Sequence, residues 1–141
     1  MELLAALRLL AAQGVDAVAF KGATLAASTY GQVWLRQFSD IDLLVCPRQV
    51  VDAKAVLAER GYVCHLELSA TQQRLLVQDS PFAYAFSLSR AGGPMAIDLH
   101  WRLAEAGHPA YPDRLSEPWE RLIETDHQGS TIRSFGPEDS L

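Results

Sequence analysis

The chain is 141 residues long, 49% apolar and 21% charged, with a formal net charge of −5. Those figures describe a single globular domain with enough chain to bury a core, and they exclude a disordered polymer. The acids are in excess and spread out, which excludes a general nucleic-acid binder with its basic face, although a few local basic residues suffice to hold a nucleotide phosphate.

The two cysteines, Cys46 and Cys64, are far apart and lack metal-type spacing. A disulfide framework is not expected, and a reducing cytoplasm fits. The apolar N-terminus carries Glu2 and no basic segment before it, so it reads as a helix and not as a signal peptide. No run approaches the roughly 20 apolar residues that span a bilayer, so no membrane partner is expected.

Leu3, Leu4, Leu7, Leu10 and Ala11 recur at helical spacing, which predicts an amphipathic helix over residues 2–13 ending near Gly14. The apolar run 15–20 predicts a core strand. Lys21-Gly22-Ala23-Thr24 follows at once, and residues 25–30 read as a helix. A strand, a small-residue turn and a helix let backbone N–H groups approach a phosphate. The same pattern also describes an ordinary turn with a solvated Lys21.

After a connector over 32–38, Asp40 to Cys46 predicts a buried strand that opens on Asp40-Ile41-Asp42. A strand turns residues i and i+2 to one face, so the two carboxylates stand side by side, about 7 Å apart along the backbone. Charges that close repel unless a cation lies between them, which points to a metal ion. An isolated Asp-x-Asp has a second reading, in which Asp40 caps a turn and Asp42 is solvated.

Pro47 opens the next helix, with Val50, Ala53 and Leu57 on one face. Residues 62–66 suggest a short strand and 71–78 a helix. Phe82, Tyr84, Phe86 and Leu88 alternate with small residues, and after a turn at 90–94 Met95, Ile97, Leu99 and Trp101 alternate with Ala96, Asp98, His100 and Arg102. The two runs predict an antiparallel hairpin. On its second strand Asp98 and His100 share the polar face, and Trp101 faces the core. Beyond Leu103 the prolines mark an irregular loop, Trp119 to Thr125 reads as a short helix, and Ser130 to Phe135 as an edge strand.

Three acids therefore interrupt apolar strands: Asp40, Asp42 and Asp98. On neighbouring strands they would point into one pocket. Mg2+ is held by a few carboxylates, waters and substrate phosphates, and phosphoryl-type transfer is mostly positioning and charge neutralisation. A structural divalent ion in an interaction domain is the other chemistry open to such a triad. Lys21 and Arg36 stand beside the motifs and are candidates to neutralise phosphate charge, Arg36 bidentately. Solvated surface charge is the alternative for both. Ser39 supports the turn into the strand and belongs to the same nucleotide-side group. His100 reads either as a partner of the neighbouring carboxylate or as a structural histidine beside the pocket.

The runs Phe20-Lys21-Gly22-Ala23-Thr24-Leu25, Arg36-Gln37-Phe38-Ser39-Asp40-Ile41-Asp42-Leu43-Leu44-Val45 and Ile97-Asp98-Leu99-His100-Trp101-Arg102 together resemble the uncharacterised bacterial nucleotidyltransferase family. That family lies within the DNA polymerase β-like nucleotidyltransferase superfamily. The resemblance implies an α+β fold, a mixed β-sheet flanked by α-helices. It implies that Asp40 and Asp42 bind two divalent ions, Mg2+ or in its place Mn2+, together with the triphosphate. Asp98 would complete one metal site and activate the acceptor hydroxyl. Gly22 would take the glycine of the phosphate turn, with Ala23 in the place of the family serine and Thr24 as a substitute hydroxyl. The activity implied is transfer of a nucleoside monophosphate from a nucleoside triphosphate such as ATP to a hydroxyl-bearing small molecule or protein. The alternative is a nucleotide- or metal-binding regulatory module of the same fold, favoured by the alanine at position 23. The expected division is a catalytic domain over 1–136, with 137–141 beginning a truncated, helical C-terminal region.

Overall fold

The first helix shows how local sequence sets an element and its end. In a computed structural model, which describes residues 2–19, 40–79, 85–92, 96–102, 117–120, 122–127 and 129–135, α1 runs Glu2–Ala12. It buries Leu3, Leu4, Ala6 and Leu10. Gly14, at φ 74°, closes it: its N–H donates to the Ala11 carbonyl and that of Val15 to the Leu10 carbonyl, both at 3.0 Å. This is the paired C-terminal bonding that glycine permits, and it brings Val15 back onto buried Leu10.

Strand β1 (Ala17–Ala19) follows, then β2 (Asp40–Val45), a 3-10 turn at Pro47–Gln49, α2 (Val50–Glu59) and β3 (Tyr62–Cys64). The Gln49 side chain clamps the two connections together. Its Oε1 accepts from the Asp16 backbone N–H at 3.2 Å and its Nε2 donates to the Gly14 carbonyl at 3.0 Å. Helix α3 (Ala70–Asp79) opens on a capping box. The Ser69 Oγ accepts from the Gln72 N–H at 3.2 Å, while the Gln72 Oε1 accepts from the Ser69 N–H at 2.9 Å. Then come β4 (Ala85–Arg90), β5 (Ala96–His100), the short α4 (Glu117–Glu120), β6 (Leu122–His127) and β7 (Ser130–Phe135).

The seven strands form one sheet in the order β3-β4-β5-β2-β1-β7-β6. The pairs β2–β5 and β1–β7 are parallel and the rest antiparallel, so this is the mixed sheet expected for an α+β protein. Alternation then separates two faces. Ile41, Leu43, Val45, Ile97, Leu99 and Trp101 join the leucines of α1 and the Val50, Ala53 and Leu57 face of α2 in the main core. On the opposite face a smaller cluster holds Val18, Leu44 and Phe135, with Trp119 and Leu122 against it.

Two expectations at the C-terminal end are corrected. Residues 122–127 are strand β6 and not the end of a helix, which stops at Glu120. The reason is a hairpin: β6 pairs with β7 along its whole length, from Leu122 with Phe135 to His127 with Ser130, and Gly129 takes φ 75° in the turn. Strand β7 is accordingly interior, between β1 and β6, and the edge is β6. Among the described residues no helix is long and apolar enough to cross a membrane.

Tyr62 ties β3 to the start of α1. It is 4% exposed, and its hydroxyl donates to Glu2 Oε1. Arg90 on β4 reaches the same carboxylate at 3.4 Å. Burial first, then the bond to Glu2 and its charge, push the Tyr62 phenol from 10.0 up to about 12. The fold thus holds the neutral phenol. The stability this contributes is complete below the unfolded value near 10 and is lost as pH rises towards 12. Denaturant titrations across that window should show the slope in the wild type, and Tyr62→Phe should flatten it.

Candidate active site

Strand β2 changes character residue by residue. Asp40 is exposed and Asp42 partly buried, while Ile41, Leu43, Leu44 and Val45 are buried. On β5 the pattern repeats, with Ile97 and Leu99 buried and Asp98 and His100 partly so. Period-two alternation explains both: Ile41, Leu43, Val45, Ile97 and Leu99 face the main core, and the acids face the other side, where Leu44 joins the smaller cluster.

Parallel pairing then decides what meets what. The register runs Asp40 with Ala96, Asp42 with Asp98 and Leu44 with His100. In-register residues on adjacent strands share a face, about 5 Å apart. Asp42 and Asp98 are therefore neighbours across the strand gap, although they lie far apart in sequence. His100 reaches diagonally to Asp42, its Nε2 2.9 Å from Oδ1. The carboxylate can only accept, so Nε2 carries the hydrogen and donates. The two side chains are 13% and 21% exposed, so the bond between them is largely shielded from water. From the other flank β4 contributes Ser87, opposite Asp98, whose Oγ donates to Asp98 Oδ1 at 2.6 Å.

One ligand atom each from Asp42, Asp98 and His100 lie within 4.8 Å of one another. Two carboxylate oxygens side by side on a rigid sheet, one of them held by His100, match what divalent cations use. Carboxylate oxygen donors suit both Mg2+ and Mn2+. The donor set therefore fits the expected cation.

Of the acids named from sequence, Asp42 and Asp98 come together. Asp40 opens β2 on the same face, exposed and paired with Ala96, outside the trio. His100 joins the trio through Asp42. Lys21, Gly22, Ala23, Thr24, Arg36 and Ser39 lie outside the described residues. Sequence reasoning assigned nothing to Ser87. Its signal is its place in the alternation of 82–89, but the register that sets it against Asp98 has no local mark. His65, likewise given no role, stands beside it. Its Nε2 lies 2.9 Å from Ser89 Oγ, two residues along β4 from Ser87.

The comparisons with known proteins agree with this architecture. The lincosamide antibiotic adenylyltransferase LnuA, solved with lincomycin bound, superposes with a TM-score of 0.66 at 15% identity, over 99% of this chain and 81% of that one. The ANT(2″)-Ia crystal structure with adenylyl-2″-tobramycin gives 0.59 at 17% identity, over 96% and 67%. The solution structure of the antibiotic-resistance factor ANT(2″)-Ia gives 0.60 at 15%, over 95% of this chain. The chain spans 63% of the length of that last structure. These likenesses are of fold. No curated protein matches by sequence. The profile of the uncharacterised nucleotidyltransferase family matches residues 1–141, the whole chain, which therefore belongs to that family of transferases.

Proposed function

We propose that the protein is a Mg2+-dependent nucleotidyltransferase that moves a nucleoside monophosphate from a nucleoside triphosphate to a hydroxyl on a small-molecule acceptor. The observation that carries the reading is the in-register pair Asp42 and Asp98 with His100 at Asp42. Two acids facing each other across one strand gap suit a divalent cation, and family membership connects that cation to nucleotidyl transfer. When bound, the cation supplies charge neutralisation at the triphosphate and at the leaving pyrophosphate.

The residues have separate tasks in this proposal. Asp42 and Asp98 hold the cation, and Asp40 adds a third carboxylate at the start of β2. His100 orients Asp42 through its Nε2–H. Asp98 accepts the proton of the acceptor hydroxyl. The acceptor oxygen bonds to the α-phosphorus, the bond from that phosphorus to the bridging oxygen breaks, and pyrophosphate leaves. Lys21, Gly22, Ala23, Thr24, Arg36 and Ser39 contact the triphosphate. In favour of that assignment, Lys21 stands two residues along the chain from Ala19, which pairs with Leu43 next to Asp42. Residues 1–136 form the catalytic domain. Two of the structural neighbours were solved with an antibiotic or an adenylylated antibiotic bound, which favours ATP as donor and a hydroxylated small molecule as acceptor.

Equilibrium binding of ATP tests this. ATP affinity should rise with Mg2+ in the wild type, and Asp98→Asn should lose that dependence. Pyrophosphate release should appear only when a hydroxylated acceptor is added. ATP binding that is indifferent to Mg2+ would sink the proposal. Mg2+-dependent binding with no pyrophosphate release under any acceptor would favour the regulatory reading, which Ala23 in the family serine's place supports.

A further inference from the structure

We infer that Ser87 is a positioning residue for Asp98: its hydroxyl fixes one carboxylate oxygen from the β4 side so that the other serves the cation. This rests on the metal-dependent reading above and names a residue that reading leaves out. Register places Ser87 directly opposite Asp98 in the antiparallel β4–β5 pair. The Oγ–Oδ1 distance of 2.6 Å lies in the range of a charge-assisted O–H···O⁻ bond. A serine on a paired strand has one side-chain torsion to place its oxygen, so little conformational freedom is lost in making the bond.

The bond matters because of what surrounds it. Asp42 is held at its own Oδ1 by His100, from the strand that carries Asp98. Each of the two facing carboxylates is thus fastened through one oxygen by a donor from outside the pair. Fastening Oδ1 stops rotation about the Cβ–Cγ bond and leaves Oδ2 a single position. It also counters, on each acid, the repulsion from the other before any cation arrives. Ser89, the next serine on this face of β4, has its hydroxyl against His65 Nε2 at 2.9 Å, so the support of Asp98 falls to Ser87 alone of the two.

Ser87 is exposed, so alanine there leaves no buried polar group unpaired, and the fold should be kept. The test is Mn2+ binding to the full chain, read by the electron paramagnetic resonance of free Mn2+, for wild type, Ser87→Ala and Ser87→Thr. Supporting residues around metal ligands typically alter affinity roughly tenfold to a hundredfold. Ser87→Ala should weaken Mn2+ binding by about tenfold with an unchanged unfolding midpoint, and Ser87→Thr, which keeps the hydroxyl, should restore it. Wild-type affinity in Ser87→Ala, or a threonine variant as weak as the alanine one, would overturn the role of Ser87 alone. A wild type that binds no Mn2+ would overturn the metal reading and the role of Ser87 with it.

Discussion

Asp42→Asn is expected to reduce metal-dependent ATP affinity and nucleotidyl transfer by about a thousandfold while leaving the fold as stable as before. The size follows from rank. Residues that only support a ligand cost up to about a hundredfold, and removal of a transition-state electrostatic contact costs about a hundred- to a thousandfold. Asp42 sits at the centre of the trio, bonded to His100 and facing Asp98. Asparagine keeps the volume and the oxygen that accepts from His100 Nε2. What it removes is the negative charge. Since that charge faces another across the strand gap, the metal-free protein should hold or raise its unfolding midpoint. Titration of ATP against the variant with Mg2+ present, beside a thermal melt, checks both halves. Retained metal-dependent affinity would remove Asp42 from the site.

The next residue along should behave in the opposite way. Leu43 is 0% exposed in the main core, on the other face of β2 from Asp42. Leu43→Ala should cost about 3 kcal/mol, the loss of buried methyl groups plus the cavity that a central strand cannot close. For a chain of this size that lowers the melting midpoint by roughly ten degrees. At a temperature where the variant is still folded, its Mn2+ affinity should match the wild type, because the cavity opens towards α1 and α2 and not towards the acids. A denaturant titration gives the first number and a Mn2+ titration the second. Two adjacent substitutions thus divide function from stability along the alternation of one strand.

Much of the candidate site's geometry was legible because alternation is local. Asp98, His100 and the core position of Trp101 could be read from residues 95–102 by themselves, and Asp40 and Asp42 from the entry to β2. Pairing was not legible. Nothing near Asp42 says that Asp98 is its partner, since register between distant parallel strands depends on packing against the common core. Ser87 escaped for the same reason. Strand β6 was missed because Trp119 to Thr125 reads as a helix by itself, and the deciding partner, β7, follows only after Gly129. The Gln49 clamp joins residues 33 and 35 positions apart, and a surface glutamine carries no local sign of such a bond.

The parallel pairing of β2 with β5 has a kinetic consequence. Parallel neighbours need a crossover, and here α2, β3, α3 and β4 all lie between the two strands in the chain. Bringing Asp42 and Asp98 together therefore closes a loop over that whole excursion, at an entropic cost. No fragment ending before β5 holds both acids in place. A cation that binds the finished centre and not the unfolded chain stabilises the native state by mass action, about 2.7 kcal/mol at a hundred times its Kd. Where the acids have not yet met in the folding transition state, that stabilisation lengthens the lifetime of the folded protein and leaves its rate of formation alone.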